Sequence, residues 1–193
     1  MKPIMMLVGL LLTQTSFAAS FQEALVEAAL NRTEQDVTYD GQYMEMGYPN
    51  GDVPANIGVC TDVVIRTYRA LGIDLQQKVH EDMKAHFSKY PSKRIWGLTR
   101  TDTNIDHRRV PNLQVFFERF GESLPITDNK DDYKPGDIVT WRLPNNAPHI
   151  GIVTDQKGWV TGNPKVVHNI GLGPKLDDML FLFKITGHYR YAP

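Results

Sequence analysis

The sequence predicts an α+β fold, N-terminal helices packed on a C-terminal antiparallel sheet, from two observations. Apolar residues recur at three- and four-residue steps as far as Phe120. From Asp137 onward the runs are instead short, rich in β-branched residues and separated by turn signals. No internal repeat or low-complexity segment divides the chain, so residues 19–193 read as one domain.

Lys2, the apolar run Ile4–Leu12 and then Ser16-Phe17-Ala18 have the pattern of a secretory signal peptide over residues 1–18, cut after Ala18. The run is about half the ~20 residues that cross a bilayer. No cysteine stands at the cut to carry a lipid. The mature chain is therefore expected in the periplasm or secreted, without a stable membrane anchor.

Ser20-Phe21-Gln22-Glu23 is a capping-box pattern, with Phe21, Leu25, Ala28 and Ala29 behind it, and predicts a helix to about Gln35. Between Asp40 and Gly58 lie Gly41, Gly47, Pro49, Asn50, Gly51 and Pro54, a density of turn residues that predicts a loop. Cys60, Val64, Thr67 and Leu71 share a helical face that Gly72 can end, which puts Cys60 in a helix's first turn. Asp74 with Gln77 offers a further cap, and Val79, Met83, Phe87 and Tyr90 continue at helical steps to Pro91. Ser92–Val110 is polar and irregular. Pro111, Leu113, Phe116, Phe117 and Phe120, with Gly121 behind, predict another helix. Strands are expected over Asp137–Leu143, His149–Asp155, Lys165–Ile170 and Lys184–Tyr191.

A formal charge of −1 gives no basic face for nucleic acid and no polybasic segment for a membrane surface. The single cysteine excludes an internal disulfide, and in an oxidising compartment a lone thiol is a liability. Either it packs as a small buried hydrophobe or it does chemistry. Exposed N–H donors at a helix N-terminus favour the thiolate, and the Cys60 N–H could help hold an oxyanion. His149, at the start of a strand after Pro148, could project toward a helix packed on that sheet and act as base. His168 on the next strand could orient it. His107 is a rival base, but a strand holds an imidazole more firmly than its loop would. The bland alternative is that these are hydrogen-bonded structural histidines, since the chain has six.

Three blocks around the only cysteine resemble NlpC-type cell-wall cysteine peptidases: Gly58-Val59-Cys60-Thr61-Asp62, Lys134-Pro135-Gly136-Asp137-Ile138-Val139 and His149-Ile150-Gly151-Ile152-Val153. Val166-Val167-His168 resembles the segment bearing their third catalytic residue. More closely, the chain is similar to a family of uncharacterised exported bacterial proteins assigned to the papain-like clan, through Gly58–Asp62 and Asn104–Asn112. The second of these is absent from the better-known wall peptidases. The resemblance implies a papain-like fold and thiol catalysis by Cys60, His149 and His168 without metal or cofactor. Its implied substrates are amide bonds of peptidoglycan stem peptides. A non-catalytic wall-binding module on the same fold, or acyl transfer to an amine, would use the same residues.

Stem peptides are rich in free carboxylates, which the forks of Arg108 and Arg109 beside His107 could hold; the alternative is a self-paired, solvated loop. Tyr48 lies where related peptidases often place a substrate-contacting aromatic. Asp62 could cap the Cys60 helix or hydrogen-bond within the site. His80, Asp82 and His86 read as exposed helix polar residues, not metal ligands, and His188 has no assigned role. Trp141 is expected in the core. No long apolar stripe lies outside the expected core, so a monomer is expected.

Overall fold

The structure, a computed structural model, describes residues 20–193. The expected signal peptide and its cleavage after Ala18 lie outside them. Helix α1 (Phe21–Arg32) starts where Ser20 and Glu23 satisfy each other's backbone N–H groups. It ends before the expected Gln35, where the Thr33 hydroxyl donates to the Leu30 carbonyl. Two short parallel strands follow, β1 (Thr38–Tyr39) and β2 (Ile57–Gly58), and β2 leads directly into α2 (Cys60–Ala70). Asp74 caps α3 (Leu75–His86) by accepting from the Gln76 N–H, one residue before the expected Gln77.

The stretch expected to be irregular contains a short helix, α4 (Ser92–Trp96), ended by Gly97 at φ 68°, and a 3-10 turn over Asp106–Arg108. Helix α5 (Val110–Phe120) carries its proline in the first turn, where the missing N–H costs nothing. The remaining strands are β3 (Glu122–Ser123), β4 (Ile138–Arg142), β5 (Pro148–Lys157), β6 (Pro164–His168), β7 (Lys175–Asp177) and β8 (Lys184–Arg190). They form one antiparallel sheet in the order β3-β8-β4-β5-β6-β7. The molecule is thus mixed α/β, with helices and an antiparallel sheet.

Each face of the sheet buries its own cluster. Ile138, Ile150, Ile152 and Val167 pack with Val64, Tyr68, Leu113 and Phe117 of the helices. Val139, Trp141, Val153 and Val166 pack on the other face with Tyr133, Met179 and Leu180. Each such side chain, when fully buried, contributes roughly 1.5–3 kcal/mol. Trp141 is in the core as expected, and its indole N–H donates to the Leu180 carbonyl at 2.9 Å.

The Pro-Gly-Asp turn before β4 is also structural. Gly136 holds φ 88°, and a Cβ there would stand 2.9 Å from Cγ of Gln22 on α1. Asp137, fully buried, accepts from the Lys134 N–H at 2.8 Å, His188 Nε2 at 2.8 Å and Arg190 Nε at 2.8 Å. His188 donates its other ring nitrogen to the Pro125 carbonyl at 3.0 Å. Among the described residues, no helix is long and apolar enough to cross a membrane.

Candidate active site

Cys60 is the first residue of α2, and a web of polar contacts fixes the backbone that delivers it. Arg66, one and a half turns further on, donates to Asp52 at 2.9 Å and to the carbonyls of Val53, Pro54 and Ile57. One guanidinium thereby gathers the glycine-rich loop that the sequence left without regular structure. Asp62 accepts the Val59 N–H at 2.7 Å and takes the Arg108 fork bidentately, both bonds 2.9 Å, with both side chains buried. The Thr61 hydroxyl donates to the Arg108 carbonyl at 3.1 Å. From the sheet side, Asn169 donates to the Gly58 carbonyl at 3.3 Å, tying the end of β6 to the residue two before the thiol.

The expected thiolate is not the resting state. Cys60 is 6% exposed, and burial pushes its pKa up to about 12. The Asp62 charge pushes the same way, while the N–H groups of Ile150, Thr61 and Cys60 oppose it. Helix-terminal donors are present as the sequence implied, but desolvation outweighs them. The Ile150 N–H, in the peptide that follows His149, is the foremost of the groups that favour the thiolate.

His149 and His168 meet directly. Ile152 pairs with Val167 across β5 and β6, a register that continues to bring His168 level with Gly151. A Cβ at Gly151 would lie 2.8 Å from the Val167 carbonyl oxygen and 3.1 Å from the His168 Cβ. The glycine leaves the gap in which the two rings stand edge to face, with centroids 5.1 Å apart and His149 Nε2 3.0 Å from His168 Nδ1. His168 Nε2 is in turn 3.1 Å from an oxygen of Asp177 on β7.

This chain sets the tautomers. The Asp177 carboxylate accepts from His168 Nε2–H, so a neutral His168 keeps Nδ1 unprotonated and accepts from His149 Nε2–H. A neutral His149 then has its lone pair on Nδ1, for which there is no hydrogen-bond partner among the described residues. Both rings are held neutral. Burial, with His168 adding, lowers His149 to about 3, and burial lowers His168 against the opposing pull of Asp177. Asp177 escaped the sequence reading because β7 is three residues long, too short for an alternating pattern.

One expectation about His149 is corrected. Ile150 and Ile152 point toward the helices, so alternation turns His149 to the Trp141 face, where the two rings lie 5.9 Å apart. His149 therefore faces the Trp141 side of the sheet instead of pointing straight at α2. It makes no hydrogen bond to Cys60 among the described residues.

The remaining sequence candidates divide. Arg108 is consumed by Asp62 and by the Gln42 carbonyl, so it is a buried strut and not a free ligand fork. Asp62, its partner, caps the helix. His107 is 2% exposed and burial lowers it to about 4; the charges it feels are those of Arg108, Asp74, Arg69 and Asp52. No hydrogen bond orients its ring among the described residues, whereas His168 orients that of His149. Arg109 lies over the Trp96 ring at 4.3 Å and donates to Asp106 at 3.2 Å. Tyr48 packs edge-on against His80 at 5.0 Å. Tyr39 pairs with Gly58, two residues before the thiol, and its ionisation is opposed by burial and by the charges of Cys60 and Asp62. Its position depends on the two-residue pairing of β1 with β2, which carries no periodic signal. Asp82, expected as an exposed helix residue, is instead buried and held by Arg119, Tyr90 and His86.

Residues 26–191 match a family described as "Domain of unknown function (DUF1287)", and the chain belongs to that family. It is similar to uncharacterized protein YijF of Escherichia coli (strain K12), 47% identical over 180 residues that cover 93% of this chain and 86% of the relative.

Proposed function

We propose that the protein is an exported cysteine hydrolase with a papain-like fold of the NlpC type, cleaving an amide bond in peptidoglycan stem peptides. The observation that carries this reading is the hydrogen-bonded series His149–His168–Asp177, which presents an unprotonated Nδ1 at the start of β5, where the only thiol of the chain lies. Cys60 and His149 act as a neutral pair. On substrate binding, Nδ1 takes the thiol proton as sulfur attacks the carbonyl carbon, and the N–H groups at the α2 terminus hold the developing oxyanion. The C–N bond breaks and the amine leaves with the proton from His149. Water, deprotonated by the same nitrogen, then attacks the thioester and releases a carboxylic acid and the free thiol. His168 and Asp177 are positioning residues, which fix the tautomer and orientation of His149.

The test is digestion of purified sacculi by the mature protein and by Cys60→Ala, with released fragments identified by mass spectrometry. Fragments from the wild type alone, each ending in a new amine or carboxyl group, are the expected result. Equal release by Cys60→Ala would refute thiol catalysis.

A second reading is favoured by the buried, protonated thiol and by the missing hydrogen bond between Cys60 and His149. In it the domain binds the wall without cleaving it. Sacculi that retain the protein yet release no fragments are its expected result.

A further inference from the structure

We infer that the cleft between the 98–105 loop, Tyr43 and His80 is a subsite for a free carboxylate on a peptide whose scissile bond lies at Cys60, an assignment that rests on the hydrolase reading above. The cleft encloses about 570 Å³ and is lined by Arg100, Arg109, Tyr43, Asp102 and His80. Arg100 is exposed and makes no ion pair or hydrogen bond among the described residues. Arg109 lies over the Trp96 ring and spends only Nη1 on Asp106, which leaves Nε and Nη2 without an acceptor among the described residues. Two guanidinium forks thus border one cleft with donors to spare, and such forks match a carboxylate bidentately.

The one carboxylate in the lining is already occupied. Asp102 accepts from the Tyr43 hydroxyl at 3.1 Å and from the Asn104 N–H at 2.9 Å.

The cleft is joined to the thiol by the chain itself. Tyr39 pairs with Gly58, two residues before Cys60, the Gln42 carbonyl is held by the same Arg108 that grips Asp62, and Tyr43 is the cleft wall. Four residues of extended chain, the step from Tyr39 to Tyr43, span at most about 14 Å. A stem peptide of comparable length laid along this segment would reach from the scissile bond to the two arginines.

The experiment uses the full mature chain carrying Cys60→Ala, so that nothing is turned over, and calorimetric titration with a synthetic stem tetrapeptide as free acid and as C-terminal amide. Because Arg100 is exposed and unpartnered, Arg100→Gln on the same background tests the cleft without disturbing the core. The expected result is about tenfold or greater preference for the free acid, lost in Arg100→Gln. Equal affinity for acid and amide, or a preference that survives Arg100→Gln, would overturn the assignment. Acid-selective binding that Arg100→Gln abolishes, with no fragments released from sacculi by the wild type, would sustain the cleft and remove the hydrolase. Fragment release without acid selectivity would do the reverse.

Discussion

Two histidine–aspartate pairs stand on the same sheet and end differently. His188 on β8 is closed at both nitrogens, by the Asp137 carboxylate and the Pro125 carbonyl, and Asp137 is itself fully buried under Arg190 and the Lys134 N–H. His168 on β6 also meets an aspartate, but Asp177 is half exposed and the other nitrogen of His168 faces a second imidazole, whose far nitrogen is open. Every polar group in the first pair is satisfied within the protein, so the pair can only hold the fold together. The second leaves one acceptor over, at the strand end where the thiol lies. Satisfaction of hydrogen bonds, more than the identity of the residues, separates a structural histidine from a candidate for chemistry.

The largest effect should come from breaking the closed pair. Asp137→Ala strands His188 and Arg190 without their acceptor and should cost roughly 3–5 kcal/mol in denaturant unfolding. A loss under about 1 kcal/mol would contradict a structural role for that pair. Gly151→Ala comes next. Its methyl group would meet the Val167 carbonyl and His168, and is expected to cost roughly 1–3 kcal/mol and to part the two rings, although no reacting group is removed. Activity equal to wild type in a folded Gly151→Ala protein would show that the ring contact is dispensable.

A graded effect concerns pH. As pH falls below 6.5 the unfolded His149 gains a proton, whereas the folded one resists until about 3, so stability drops with acid across that window. His149→Gln should flatten the stability profile there by about 1.4 kcal/mol per pH unit. An unchanged slope would mean that His149 is not held neutral by burial. The smallest stability change belongs to Asp177→Ala, under about 1 kcal/mol because the carboxylate is half exposed, while fragment release should fall by roughly tenfold or more. Asp177→Asn keeps an oxygen that can accept from His168 Nε2–H. It should therefore retain more activity than the alanine variant, a difference that a purely structural Asp177 would not produce.

What could be read from the sequence was local. The Ser20–Glu23 capping box, the run ending at Phe120 and the four longer strands depend on residues within a few positions of one another, and they stand within a few residues of their expected ends. Cys60 opens its helix as its spacing implied, and His149 meets His168 because consecutive strands joined by a short loop pair as a hairpin. The misreadings were long-range. The Arg108–Asp62 ion pair joins residues 46 positions apart and turned an expected ligand fork into a strut. Asp177 reaches His168 only through a three-residue strand, and Tyr39 reaches Gly58, ahead of the thiol, only through a two-residue one. The pKa of Cys60 depends on burial, a property of the packed whole that the helix terminus alone does not report.

The most direct test of the account is to quench the protein with acid during turnover of muropeptides and to map Cys60 by peptide mass spectrometry. The account predicts an acyl group on Cys60 of the wild type and none on that residue in His149→Ala. Fragments released while Cys60 stays unmodified at every quench time, or an equal adduct in His149→Ala, would contradict it.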